Sequence, residues 1–119
     1  MDREELLERY AAGERDFSKV NLSGANLARA KLSGINLIRA DLSRTILENT
    51  NLSGAFLVMA NLSGANLREA TLIVANLSGA NLENANLRYA NLCAAVLTGT
   101  LQSQVELSSA NLQGAILAG

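Results

Sequence analysis

The sequence predicts an all-β solenoid, and three observations predict it: a leucine every five residues, a small residue two places before most of the leucines, and an asparagine or aspartate one place before the majority of them. Leu stands at 22, 27, 32 and every fifth position to 97, then at 107, 112 and 117; Phe17 opens the series and Gln102 is its polar member. Of these 21 centres 19 are Leu, Ala lies two places before in 14, and Asn or Asp one place before in 13.

Neither a helix nor a flat strand accommodates that spacing. Five residues of α-helix turn about 140° beyond a full circle, which would spiral the leucines around every face. In a flat strand an odd step sends successive leucines to opposite sides. A backbone that bends after each pentad returns every Leu to one interior, while the coils stack through parallel main-chain hydrogen bonds. The Leu then fills the axis of a tube, and the residue two before it also faces inward, where only a small side chain fits. Asn or Asp before the Leu hydrogen-bonds turn backbone. The recurring Ser-Gly at 23–24, 33–34, 53–54, 63–64 and 78–79 supplies positive φ at a corner.

The triplets Ala25-Asn26-Leu27, Ala65-Asn66-Leu67, Ala80-Asn81-Leu82 and Ala85-Asn86-Leu87 carry an A-(D/N)-L-x-x signature, and over residues 15–119 the sequence resembles the pentapeptide repeat proteins. The resemblance implies a right-handed quadrilateral parallel β-helix with four pentapeptides per turn, about five coils in this chain. The spacing itself requires a closed coil without setting the number four. Two places depart from the pattern: Ile35 occupies a small-residue slot, and in Thr100–Val105 an amide replaces the axis leucine. Residues 99–106 have two readings, a coil that stays in register with the Gln102 amide satisfied by turn backbone or a bulge, or a recognition loop that leaves the coil.

Residues 2–12 read as a helix, with Asp2 as N-cap, Glu4 and Glu5 in the first turn and Gly13 just past the end. Leu6, Leu7, Tyr10 and Ala11 fall on one face, which would cover the open first coil. The segment looks like the short capping helix that many cyanobacterial members of the family carry. The expected organisation is a capping helix over 1–14 and one β-helix domain over 15–119.

The composition bounds the chemistry. There is no His and one Cys, Cys93, so His-dependent triads and metal sites built on His or paired Cys are excluded. The acids Asp41, Glu48, Glu69, Glu83 and Glu106 are scattered, and no phosphate-binding glycine loop appears. No catalytic, cofactor or metal residue is therefore expected. Residues 1–16 hold six acids and three bases, and residues 17–119 five acids and seven bases. Neither balance predicts binding to nucleic acid or to a membrane surface. Met1-Asp2-Arg3-Glu4-Glu5 lacks the pattern of a signal peptide, and no apolar run approaches a membrane span, so a cytoplasmic location is expected.

What remains is a non-enzymatic interaction or scaffolding module with a protein partner. With four pentads per turn, residues twenty apart share a column. That places Ile38 beside Val58, and Phe56 in the column of Val96 and Ile116 with Met59 next to them. The adjoining face carries Ile73, Val74, Cys93 and Ala94, and the two faces form a candidate interface. The repeats run to Ile116-Leu117-Ala118-Gly119 with no second cap, so a homodimer through Leu107, Leu112 and Leu117 is expected. The resemblance implies one rival, a DNA mimic that modulates a type II topoisomerase. The bases Lys19 and Arg39 in one column, with Arg29 and Arg44 nearby, speak against the acidic surface such a mimic needs.

Overall fold

The structure, a computed structural model, describes residues 1–118. Asp16 pairs in parallel with Asn36 and Asn21 with Asp41, and the series runs on to Val96 with Ile116, every partner twenty residues further along. Each turn of the solenoid thus takes four pentads. Three bonds per pentad repeat through the stack. The axis Leu amide donates to the next coil, as Leu52 N–H does to the Thr71 carbonyl at 2.7 Å, and the amide two places on does the same, Met59 to Ser78 at 2.9 Å. The residue before the Leu donates backward, Asn51 to Ala30 at 2.9 Å. Each corner closes on itself, as where Ala65 N–H meets the Leu62 carbonyl at 3.0 Å. The result is a rod of 35 × 22 × 21 Å.

The columns divide the work as the repeat implies. The axis leucines from 22 to 97 are at most 3% exposed, and the alanines from 40 to 95 two places before them are sealed as well. Asn side-chain oxygens accept from the amide two residues on, for example Asn61 from Ser63 at 3.0 Å and Asn81 from Glu83 at 2.9 Å. Positive φ recurs two places after the Leu. Glycine supplies it at Gly24 and Gly64 (φ 73° and 68°), but Lys19, Arg39, Val74 and Tyr89 adopt it too, at a cost of about 1 kcal/mol each. Stacking overrides local preference at those corners. Thr45 and Thr50 occupy small-residue slots because each hydroxyl finds a carbonyl, Leu42 at 2.7 Å and Leu27 at 2.8 Å.

Residues 99–106 stay in register. Leu101 pairs with Asn81 and Glu106 with Asn86, and the Leu101 amide donates to Ala80 at 3.0 Å, so the recognition-loop reading is set aside. Gln102 is exposed and donates its amide to the Thr100 hydroxyl at 2.6 Å instead of filling the axis.

The helix α1 spans Arg3–Ala11, with the Asp2 carboxylate accepting from the Glu5 amide at 2.9 Å. Leu6 is fully buried against the coil, and Leu7 and Tyr10 are half-buried. Ala11, expected on the covering face, is exposed. Ala11 is the last residue of the helix, and the chain swings away after it through Ala12 and Gly13 (φ 101°) to enter the first pentad. No helix among the described residues is long and apolar enough to cross a membrane.

Candidate interaction surfaces

The two ends of the rod differ. At the first coil the stack leaves main-chain carbonyls without a preceding coil to donate to them, and α1 supplies the donors. The Met1 ammonium meets the Asn21 carbonyl at 3.2 Å, Arg3 meets Asn26 at 3.1 Å and Ala28 at 3.0 Å, and the Tyr10 hydroxyl meets Ser33 at 2.7 Å. Arg9, bonded to Glu5 and Glu14, sits 5.1 Å over the ring of Phe17, the first axis residue. Sequence reasoning found the helix and its apolar face but missed these donors, because which carbonyls lie open depends on the pairing register.

At the other end the axis opens into a cavity of about 130 Å³, with Leu82, Leu87 and Leu97 as its floor and Leu107, Leu112 and Leu117 around it. The three outer leucines are those singled out from the sequence. Leu107 and Leu112 are half-buried, and Leu117 is 55% exposed.

Along the side of the rod, the twenty-residue register brings Ile38 and Val58 into one column, half-buried, flanked by the exposed Phe56 and Met59. Phe56 does not run on into Val96 and Ile116: Asn76 stands between, since Phe56 pairs with Asn76 and Asn76 with Val96. Ile73 and Val74 lie around the corner, Val74 at 58% exposure. Three further exposed apolar side chains, Ile46, Tyr89 and Leu101, were not singled out. Ile46 and Leu101 hold the outward slot before the axis residue, Leu47 and Gln102 respectively, where Asn or Asp is usual, and that substitution is the sequence signal that finds them.

Charge is uneven as well. Arg68 pairs with Glu69 at 2.9 Å and lies 5.1 Å from the Tyr89 ring, and Arg88 pairs with Glu106. Lys19, Arg29, Lys31, Arg39 and Arg44 form no ion pair among the described residues, so the first two coils carry unpaired positive charge. Arg44 instead donates to the Ser23 hydroxyl at 3.1 Å. Asp41, on the face between Arg39 and Arg44, is held below the usual carboxylate range by the Ser43 hydroxyl and then by the Ser43 amide, with the Arg44 charge adding to both. Cys93 is a free, partly exposed thiol, and no cluster of three metal-ligating side chains occurs among the described residues.

Pentapeptide repeats match in eight copies over residues 16–54, 45–73 and 75–100. No curated protein matches the chain. Among solved structures it is similar to a pentapeptide repeat protein of the Arabidopsis thaliana thylakoid lumen, with 35% identity over 78% of this chain and 65% of that one and a TM-score of 0.76. A pentapeptide repeat protein of Nostoc PCC 7120 is 32% identical over 88% of this chain and 94% of that one, with a TM-score of 0.48. A third, from the cyanobacterium Cyanothece 51142, is 40% identical over 87% of this chain and 60% of that one, with a TM-score of 0.34. The chain spans about 65% of the length of the Arabidopsis protein. With its leucine axis, its twenty-residue pairing, the repeat match over most of its length and the likeness to the Arabidopsis protein, the chain belongs to the pentapeptide repeat family.

Proposed function

We propose that this chain is a non-enzymatic protein-interaction or scaffolding module, a right-handed four-sided coil of about five turns whose outward columns are read by a protein partner. The observation that carries the reading is the gathering of Ile38, Phe56, Val58 and Met59 on one side of a rod whose own core is already complete. These side chains contribute nothing to the leucine axis, and Phe56 and Met59 are each 49% exposed. The test replaces Phe56 and Val58 together with Ser. The double variant keeps the circular dichroism and melting profile of the parent and loses a partner that the parent retains on an affinity column. Retention unchanged by the double variant removes this face from the reading.

The unpaired Lys19, Arg29, Lys31, Arg39 and Arg44 argue against an acidic, DNA-like surface. Inhibition of DNA gyrase supercoiling by the purified chain at stoichiometric amounts would restore the topoisomerase alternative.

A further inference from the structure

Lys19, Arg39 and Met59 occupy the same corner in successive coils, with φ of 63°, 60° and 60°. Main-chain bonds hold them in register: the Lys19 amide donates to the Ile38 carbonyl at 2.9 Å and the Arg39 amide to the Val58 carbonyl at 3.0 Å. The three side chains therefore follow one edge of the rod, at a step of about 4.8 Å per coil. That edge borders the face of Ile38, Phe56 and Val58, so two cations stand in line with the apolar ridge. Arg44, a quarter-turn on, reaches back over the neighbouring face to the Ser23 hydroxyl at 3.1 Å. The acids of these two faces do not neutralise the cations. Asp16 accepts from the Ser18 hydroxyl and Asp41 from the Ser43 hydroxyl, each at 2.7 Å, and neither is ion-paired among the described residues. Arg29 lies half a turn away from Lys19, with Lys31 beside it on the opposite side of the rod.

We propose that this edge and face together dock an extended segment of a partner protein in which carboxylates adjoin an aromatic or branched aliphatic side chain. The carboxylates meet Lys19 and Arg39, and the apolar side chain lies on Phe56, Val58 and Met59. This deepens, and rests on, the reading of the chain as an interaction module. The lengths agree: Lys19 to Met59 spans two coils, about 10 Å, which an extended chain covers in about three residues. Apolar contact supplies the buried area, while the cations steer the segment and set its register. A second copy of this chain fits less well. Its α1 offers the exposed acids Glu4 and Glu8, but Leu6 of that helix is fully buried against its own coil, so Phe56 and Met59 would stay uncovered. An anionic lipid surface calls for a larger cluster of cations on one side, and here Arg29 and Lys31 stand on the other.

The experiment titrates the ¹⁵N-labelled full chain with the capped peptide Glu-Glu-Leu-Phe-Glu-Glu, whose acids flank the apolar pair so that either chain direction is served. Two further peptides carry Lys in place of Glu, or Ser in place of Leu and Phe. The first is expected to shift the amides of Arg39, Val58 and Met59 saturably, with an affinity that falls as salt rises, and the other two to leave them in place. Lys19→Gln with Arg39→Gln should raise Kd about five-fold, in line with two exposed charge pairs. Glutamine already holds the equivalent corner at Gln104, with φ 62°, so the fold accepts it there. Arg29→Gln with Lys31→Gln removes the same charge from the opposite side and should change Kd by less than about two-fold. No saturable shift, an equal response to the Lys peptide, or equal weakening by the two double variants overturns the proposal. So does co-sedimentation with phosphatidylserine vesicles that Lys19→Gln with Arg39→Gln abolishes, in a chain the acidic peptide does not shift. The interaction reading is decided separately: a partner lost by the Phe56 and Val58 double variant but retained by the Lys19 and Arg39 variant keeps the module and removes the acidic segment.

Discussion

The Arg3 guanidinium is seated on the Ala28 carbonyl at 3.0 Å and reaches the Asn26 carbonyl at 3.1 Å, so α1 is fastened to the first coil through backbone that every later coil uses for stacking. Arg3→Met keeps the apolar stem and removes both bonds. The expected cost is about 1.5 kcal/mol, at the low end for charged hydrogen bonds because the site is partly hydrated. Amide exchange should quicken in α1 and in the coil containing Leu22 and Leu27, and leave the last coils unchanged. A uniform change along the rod would show that α1 is not a local clamp.

A second contact crosses between coils at a corner. The Met59 thioether lies over Gly79, in the space that a β-carbon at residue 79 would take, and Gly79 has φ 68°. Gly79→Ala meets both the strained backbone and the sulfur, with an expected loss of about 2 kcal/mol. Gly99→Ala, at φ 70° with its nearest neighbour atoms 3.8 Å away, meets the strain alone and should lose about 1 kcal/mol. In a Met59→Ala background the two glycine substitutions should cost the same. A Gly79→Ala penalty that is unaffected by Met59→Ala would place the whole cost in the backbone.

The difference between these corners shows where sequence reasoning stops. The leucine axis, the alanine column and the Asn turns were legible because each repeats with the chain's own period, and a period survives without coordinates. The helix was legible from Asp2, Gly13 and its apolar face. The fastening of Met1, Arg3 and Tyr10 was not, because a carbonyl carries no sequence signature and lies open only by virtue of its place in the stack. The apolar ridge was half legible. The column of Phe56, Val96 and Ile116 was drawn correctly, yet Asn76 sits within it, and the fourfold step that reveals this came from the resemblance alone.

Asp41 is expected to contribute to how the stability of the rod changes in acid. Its carboxylate accepts from the Ser43 hydroxyl at 2.7 Å and from the Ser43 amide at 3.0 Å, and the hydroxyl is the larger cause of its lowered pKa. A folded pKa below the unfolded one means that the stabilisation is complete above the unfolded value, about 3.9, and is lost as pH falls through the folded value. Ser43→Ala removes the hydroxyl and keeps the amide. Titration of the Asp41 carboxyl carbon by NMR should then move its midpoint upward, and the loss of stability below about pH 4 should become shallower. A midpoint that stays in place would assign the effect to the amide and Arg44.

Leu67 is sealed in the axis at 0% exposure, while its neighbour Arg68 points outward to Glu69 and Tyr89. Leu67→Arg puts an unpaired charge where neither water nor a counter-ion can follow, and more than about 4 kcal/mol is expected to be lost. Arg68→Ala should stay within about 0.5 kcal/mol, because an ion pair exposed on both sides contributes little. A cooperative melt of Leu67→Arg within a few degrees of the parent would overturn the inward assignment.

Ile35 occupies a slot that alanine fills at 55, 75 and 95 in the same column, and it is fully buried. The reason lies one coil below, at Arg15. That side chain does not enter the tube; its guanidinium lies 3.6 Å from the Tyr10 ring and donates to the Tyr10 carbonyl at 2.8 Å. With no inward residue beneath it, the corner takes the three carbons that isoleucine adds to alanine, and Ile35 is sealed there. Ile35→Ala should therefore open a void and cost about 2–4 kcal/mol. The reverse change at a corner with neighbours above and below, Ala75→Ile, should also destabilise, by about 1–3 kcal/mol through overpacking. Thermal denaturation of both variants decides between a slot defined by the repeat and one defined by its place in the stack. If Ala75→Ile were tolerated as well as Ile35 is, the small-residue column would reflect habit of the repeat instead of limited space.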